Sequence, residues 1–220
     1  MNHYDFTFAG ATLRALGSGA LWWPDHGLLC VSDLHLGKSE RVARRGGQAL
    51  PPYETRDTLY RLAADLAQTD ARQVICLGDS FDDGAAAASL PTPERLEIVK
   101  LQAGRHWVWI EGNHDPGPMD LGGTHLHDIT VGPLTFRHIA SHTPTGEVSG
   151  HYHPKATVHT RGRRITRPAF LVDDHRLILP AYGTYTGGLR STNDALAGLM
   201  GTNARAILTG PAPVCIPMPS

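Results

Sequence analysis

The chain predicts an α/β fold in which two packed sheets lie between helical layers. Three observations carry that reading. Strand-like and helical runs alternate through the first half. The second half is a series of short strand-like runs separated by turn signals. Apolar runs in both halves end in Asp, Asn or His. Alternation of the first kind builds a parallel sheet with crossover helices, and a strand-rich second half adds another sheet against it.

The elements follow in order. Residues 5–16 and 28–34 read as strands. Residues 53–68 read as a helix: Leu59, Leu62, Ala63 and Leu66 recur at i, i+3, i+4 and i+7, after Pro51-Pro52. Residues 73–77 form a short apolar run bounded by Gly78, which predicts a buried strand. A second helix is expected over about 92–103, with Thr92 as cap, Pro93 at the first helical position, and Leu96, Val99 and Ala103 as its apolar stripe. Residues 106–110 return to strand. Beyond them, 128–140, 147–151, 155–160, 168–173, 176–180 and 204–209 read as short strands, with turn signals at Gly132-Pro133, Gly162 and Asp173-Asp174. No linker or internal repeat interrupts the chain, so residues 1–220 are expected to form a single domain.

Composition narrows the function. With 41% hydrophobic and 19% charged residues, bulk disorder is excluded. Lys+Arg 20 against Asp+Glu 21 gives a net charge of -1, which lacks the strongly basic signature of many nucleic-acid binders. Any such binding must rest on a local patch or on metals. Cys30, Cys76 and Cys215 are sparse, odd in number and without C-x-x-C spacing, which fits a reducing cytoplasm. The start MNHYDFTFAG has no signal-peptide pattern, and no apolar run reaches the roughly 18–20 residues of a membrane helix.

The 13 histidines are the informative excess. Ligands bind beyond the carboxyl ends of strands in α/β sheets. Here the strand-like runs lead into Asp33-Leu34-His35, Gly78-Asp79-Ser80-Phe81-Asp82, Gly112-Asn113-His114-Asp115, His138, and Gly150-His151-Tyr152-His153. In an extended segment, Asp-x-His and His-x-His point both side chains to one face. Glycine beside Asp79, Asn113 and His151 lets backbone approach closely. Carboxylate, imidazole and amide donors without thiolate suit Mn, Fe, Zn or Mg, and there are more of them than one ion can use. Two divalent ions are the usual device for in-line attack at phosphorus.

In that order these motifs resemble the five motifs of the calcineurin-like metallophosphoesterases, whose fold is a two-sheet αββα sandwich. LHLGK (34–38), GHYHP (150–154) and LPAYGTYTGGL (179–189) resemble more closely the bacterial ligase-associated MPE group. That resemblance implies a manganese-dependent DNA endonuclease acting in repair, with a helicase, an exonuclease and an ATP-dependent DNA ligase as functional partners. It implies that Asp79 bridges two metals, that Asp33, His35 and His153 complete one, and that Asn113, His138 and His151 complete the other. His114 would be the general acid, with Asp115 orienting its imidazole and Asp82 lying behind the ligands. His142, four residues after His138, is an alternative ligand; His138 is preferred because it ends the strand-like run LTFR.

The remaining candidates carry weaker signals. Lys38, Arg41 and Arg44, with Arg45, follow the first motif and are candidates for substrate phosphates. Arg161, Arg163, Arg164 and Arg167 surround a hairpin and read more readily as a solvated face. Asp83 reads as a solvated turn residue, and Cys30 and Cys76 as core. Trp22, Trp23, Trp107 and Trp109 could stack bases, but packing is the better reading. His3, His26, His106, His125, His127, His159 and His175 have no motif around them. His138 follows Asn113 by 25 residues and His151 follows His138 by 13, so no lid domain fits between the motifs. An open rim favours a polymer, preferably single-stranded DNA; a small phosphoester such as a cyclic nucleotide or nucleotide-sugar lipid is the alternative.

Overall fold

Leu28, Leu29, Cys30 and Val31 are all fully buried, as are Val74, Ile75 and Leu77, because helices cover one face of these strands and a second sheet covers the other. The computed structural model describes residues 2–48, 50–117, 120–141, 145–160 and 162–218. Seven strands lie side by side in chain order: β1 (His3–Phe8), β2 (Ala11–Leu16), β3 (Leu21–Trp23), β4 (Leu28–Val31), β5 (Gln73–Leu77), β6 (His106–Ile110) and β7 (Thr124–Leu126). β1 to β4 are antiparallel neighbours; β4 to β7 are parallel. The expected single strand over 5–16 is instead a hairpin, turning where Ala9 and Gly10 both take positive φ.

Helices α1 (Lys38–Arg44) and α2 (Glu54–Thr69) connect β4 to β5, and α3 (Gly84–Ala88) and α4 (Thr92–Gln102) connect β5 to β6. The second sheet contains β8 (Asp128–Val131), β9 (Leu134–Arg137), β10 (Glu147–Ser149), β11 (Lys155–Thr160), β12 (Arg163–Val172) and β13 (Arg176–Ile178). After α5 (Asp194–Ala197) come β14 (Arg205–Leu208) and β15 (Val214–Pro217). Its order is β15-β14-β12-β13-β10-β9-β8, with β11 paired to β12. The run 128–140 also proves to be a hairpin, β8–β9, because the Gly132-Pro133 turn divides it.

Phe6, Leu13, Leu28, Ile75 and Val108 of the first sheet meet Phe136, Val148, Phe170, Leu177 and Ile207 of the second. On the first sheet's outer face, Leu59, Leu62 and Leu66 of α2 and Ile98 and Leu101 of α4 cover Leu29, Val31, Val74 and Cys76. The second sheet's outer face is covered more thinly, by Leu196 of the short α5, Met200 and Val158 of β11. All four tryptophans are buried in these layers, as the packing reading requires. None of the described helices is long and apolar enough to cross a membrane.

The expected stripe of α4 is corrected. Leu96 is 63% exposed and Val99 51%, while Glu94, Ile98 and Leu101 face inward. Ile98 and Leu101 pack into the core on that side, and beside them Glu94 Oε1 accepts from Arg56 Nε of α2 at 2.6 Å. Pro91 rather than Thr92 occupies the cap position, without a side-chain cap bond. Leu101→Ala should therefore cost about 2–5 kcal/mol and Leu96→Ala less than about 0.5 kcal/mol, measured by urea unfolding.

Candidate metal centre

The parallel pairing of β4, β5 and β6 brings their carboxyl ends to one edge, and parallel β9 and β10 bring His138 and the 150–153 segment there from the second sheet. His151 N–H joins the two edges by donating to Asp33 Oδ2 at 3.0 Å, and within the second sheet Gly150 N–H donates to the His138 carbonyl at 2.9 Å. The extended geometry expected for Asp33-x-His35 and His151-x-His153 is not found. Asp33, His35, Asp79, His151 and His153 lie beyond the strands with φ of 52°, 45°, 45°, 71° and 47°. Such left-handed turns cost on the order of 1–3 kcal/mol per non-glycine residue and persist only where the surroundings over-determine them. Here loop-to-loop bonds do so: His35 N–H to the Asp79 carbonyl and Leu36 N–H to that of Ser80, each at 3.0 Å. The expected role of glycine holds. A Cβ on Gly112 would overlap Asp79, one on Gly150 would overlap Ser32 and Asp33, and one on Gly78 would overlap the His138 ring.

Two clusters of donor atoms result. In the first, His153 Nε2 lies 3.1 Å from Asp33 Oδ1 and 3.3 Å from His35 Nε2. Asp33 Oδ1 is buried and has no aligned hydrogen bond despite that neighbour. In the second, His138 Nε2 lies 3.0 Å from Asn113 Oδ1, 3.4 Å from Asp79 Oδ2 and 3.3 Å from His151 Nδ1. His138 Nδ1 donates to the Leu77 carbonyl at 3.1 Å, so Nε2 presents a lone pair to these electron-rich atoms. Such convergence fits a cation in each cluster. His35 also belongs to a third group with Asp82 and His114, but turns its other nitrogen there: Nδ1 is 2.9 Å from Asp82 Oδ1.

The electrostatics follow from the same contacts. Burial opposes ionisation of Asp79 and Asp82, yet their partners, chiefly His138 for Asp79 and His35 with Arg41 for Asp82, draw both pKa values to about 2. Asp33 is likewise held below the ordinary carboxylate value, against its burial, by His153, His138 and Ser32. Burial works against charge on His138, but Asp79 and Asp33 raise its pKa; burial and the adjacent His138 lower that of His151. Burial pushes Asp115 up to about 6.

Asp115 does not orient His114 as expected. Its carboxylate accepts from Ser80 N–H at 2.7 Å, Phe81 N–H at 3.1 Å and Gly112 N–H at 3.1 Å, tying the loops after β5 and β6 together. The His114 ring is oriented instead by the Asp82 carbonyl, 2.8 Å from Nδ1, and His114 N–H donates to Asp79 Oδ1 at 2.9 Å. Among the basic candidates, Arg41 pairs with Asp82 and Lys38 Nζ lies 3.8 Å from it. Arg44 is gripped by both oxygens of Asp83 at 2.8 Å. Asp83 is thus a paired residue that also caps α3 by accepting from Ala86 N–H. Beside the second cluster a cleft of about 380 Å³ is lined by Asn113, Arg137, His138 and Ile139.

The sequence model of the calcineurin-like phosphoesterases matches residues 27–176, a span that holds every one of these donors. The chain belongs to the calcineurin-like phosphoesterase family. It is a hydrolase of phosphate esters, in a family that uses divalent metals. The fold is similar to the crystal structure of Pseudomonas putida nuclease MPE, with a TM-score of 0.75 and 27% identity over 97% of this chain and 100% of that one. No functionally curated protein sequence matches significantly.

The phosphoesterase brings together all seven ligand candidates, with His114 and Asp82 beside them. His3, His26, His106, His125, His127, His159 and His175 join no metal-capable cluster among the described residues; His142 and Arg161 lie outside those residues. Two supports carried no readable signal. Ser32 Oγ donates to Asp33 Oδ2 at 2.5 Å, and Tyr182 and Gly183 N–H donate to the Ser32 and Asp33 carbonyls. Only the resemblance of the 179–189 segment pointed near the latter. Gly150→Ala should lower Mn affinity at least tenfold by titration calorimetry. In metal-free protein, the depressed Asp82 pKa contributes stability that is present above about pH 4 and lost as pH falls toward 2. Asp82→Asn should therefore cost about 2 kcal/mol at pH 6 and progressively less as pH falls through 2, with the urea midpoints of the two proteins converging.

Proposed function

We propose that this phosphoesterase is a binuclear, manganese-dependent DNA endonuclease, a single domain over residues 1–220 that prefers single-stranded DNA and acts in cytoplasmic DNA repair. A helicase, an exonuclease and an ATP-dependent DNA ligase would be its functional partners. The observation that carries the reading is the pair of adjacent hard-donor clusters at an edge with no lid inserted between their motifs, on a fold similar to that of a nuclease.

Asp33, His35 and His153 would hold one ion, and Asn113, His138 and His151 the other, with Asp79 shared between them. The ions, when bound, supply Lewis acidity for water activation and for the charge that develops at phosphorus. The chain's own contribution is orientation and proton transfer. The Asp82 carbonyl fixes His114 Nδ1 as the donor of that bond, which leaves Nε2 as the nitrogen that takes up a proton from solvent and passes it to the leaving oxygen. Asp82, buried and ionised, fixes His35 through Nδ1 and leaves Nε2 directed to the first cluster. Asp115 holds the loops that carry Asp79 and Asn113 in register.

Covalently closed single-stranded circular DNA with manganese tests the reading, because a circle has no end. The expected result is nicking that His114→Ala loses by about 10²-fold or more while the variant still binds two ions. An intact circle, with hydrolysis of a small chromogenic phosphodiester by the same preparation, would replace DNA with a small-molecule substrate.

A further inference from the structure

Charge is unevenly distributed along this near-neutral chain. Residues 148–193 carry seven Lys or Arg but only two acids, Asp173 and Asp174, against 20 and 21 overall. Both acids are used locally: Asp173 accepts from His175, Arg176 and Gly201 N–H, and Asp174 from Asn203 Nδ2. The cations of α1 differ from those of this segment. Lys38, Arg41, Arg44 and Arg45 each face Asp82 or Asp83. Lys155, Arg163, Arg164 and Arg190 have no carboxylate partner among the described residues.

Their placement relates them to the metal centre. β11 begins two residues after His153, and Lys155 bridges to Arg190. Along the outward face of the β11–β12 hairpin, Lys155, Thr157 and His159 stand opposite Pro168, Thr166 and Arg164. Arg164 is exposed on this face near the tip, which a six-residue strand carries roughly 20 Å from His153, while Arg163, opposite Thr160, belongs to the other face. The other face of β11 is occupied, since Ala156 and Val158 pack into the core beside α5.

The segment before Arg190 adds an aromatic. Gly183 is bonded to the Asp33 carbonyl, and Gly188 packs so closely on the His153 carbonyl that a Cβ there would overlap it. Between these anchors Tyr185 is held in left-handed backbone at φ 64° and is 41% exposed. Thr184 on one side bonds to Thr58, Arg61 and Asp57, and Thr186 on the other to the Gly183 carbonyl. A bulky side chain in strained backbone, presented outward by a pinned loop beside the ligands, is placed for contact rather than for the core.

We propose, on the nuclease reading above, that this rim is the track for a single-stranded nucleic acid: Lys155, Arg190 and Arg164 hold successive phosphates leading away from the metal centre, and Tyr185 stacks an unpaired base beside it. Unpaired arginine and lysine supply the salt-dependent part of such binding, and an exposed aromatic supplies the stacking that a base-paired duplex would hide.

The test is steady-state cleavage of a 30-nucleotide single strand by the manganese-loaded enzyme, with bis(p-nitrophenyl) phosphate as an ester too short to reach the hairpin. Arg164→Ala/Arg190→Ala should raise KM for the strand about tenfold and reduce the salt dependence of log KM by about 1.4, at 0.7 per phosphate contact. Tyr185→Ala should raise the same KM about tenfold with an unchanged salt slope. Melting temperatures should match wild type. Unchanged KM and salt slope in the arginine variant, with wild type still cutting the strand, would overturn the track and leave the nuclease reading standing. Wild type that hydrolyses the small ester but neither binds nor cuts the strand would overturn both.

Discussion

The structure is organised around an arrangement that is unfavourable without positive charge. Carboxylate, amide and imidazole electron pairs from five strand ends are held about 3 Å apart, and most of them are buried. Burying anions and lone pairs together costs several kcal/mol unless cations compensate. In metal-free protein Asp79 and Asp33 raise the pKa of His138 against its burial, so a proton there supplies part of that compensation, while burial and His138 lower that of His151. Divalent cations, which the family uses, would compensate far more fully, and the two clusters are arranged to receive them.

Everything around the clusters resists their relaxation. Five donors sit in left-handed backbone, where a strand would have spread them apart. Glycines at 78, 112 and 150 let neighbouring loops close onto them. Asp115 clamps two loops through backbone N–H groups, and the 182–183 segment clamps a third. The basic helix α1 fits the same logic. Lys38 and Arg41 neutralise Asp82, a carboxylate that must stay ionised to hold His35, and so are already engaged before any substrate arrives. Among the described residues, Arg164 on the β11–β12 hairpin and Arg190 beside it are exposed and have no carboxylate partner.

Much of this was legible in the sequence because the chemistry is concentrated at strand ends. β4, β5, β6 and the buried stripe of α2 followed from periodicity, and the donor residues followed from their position after those strands. What was not legible depended on tertiary contact. The rotation of α4 is set by which of its apolar residues the neighbouring elements receive, Ile98 and Leu101 rather than Leu96 and Val99. The turn at Ala9-Gly10 was hidden in a continuous strand-like run. The left-handed turns at Asp33 and His151 could not be told from extended backbone, since the residues suit either. Asp115 follows His114 directly, yet adjacent side chains point apart, and two of its three partners, Ser80 and Phe81, lie more than thirty residues away in sequence.

The most direct test of the central claim is anomalous diffraction from a manganese-loaded crystal. The account predicts two peaks roughly 3.5–4 Å apart, one ringed by Asp33, His35 and His153, the other by Asn113, His138 and His151, with Asp79 between them. A single peak, or a second ion lodged among His35, Asp82 and His114, would contradict it.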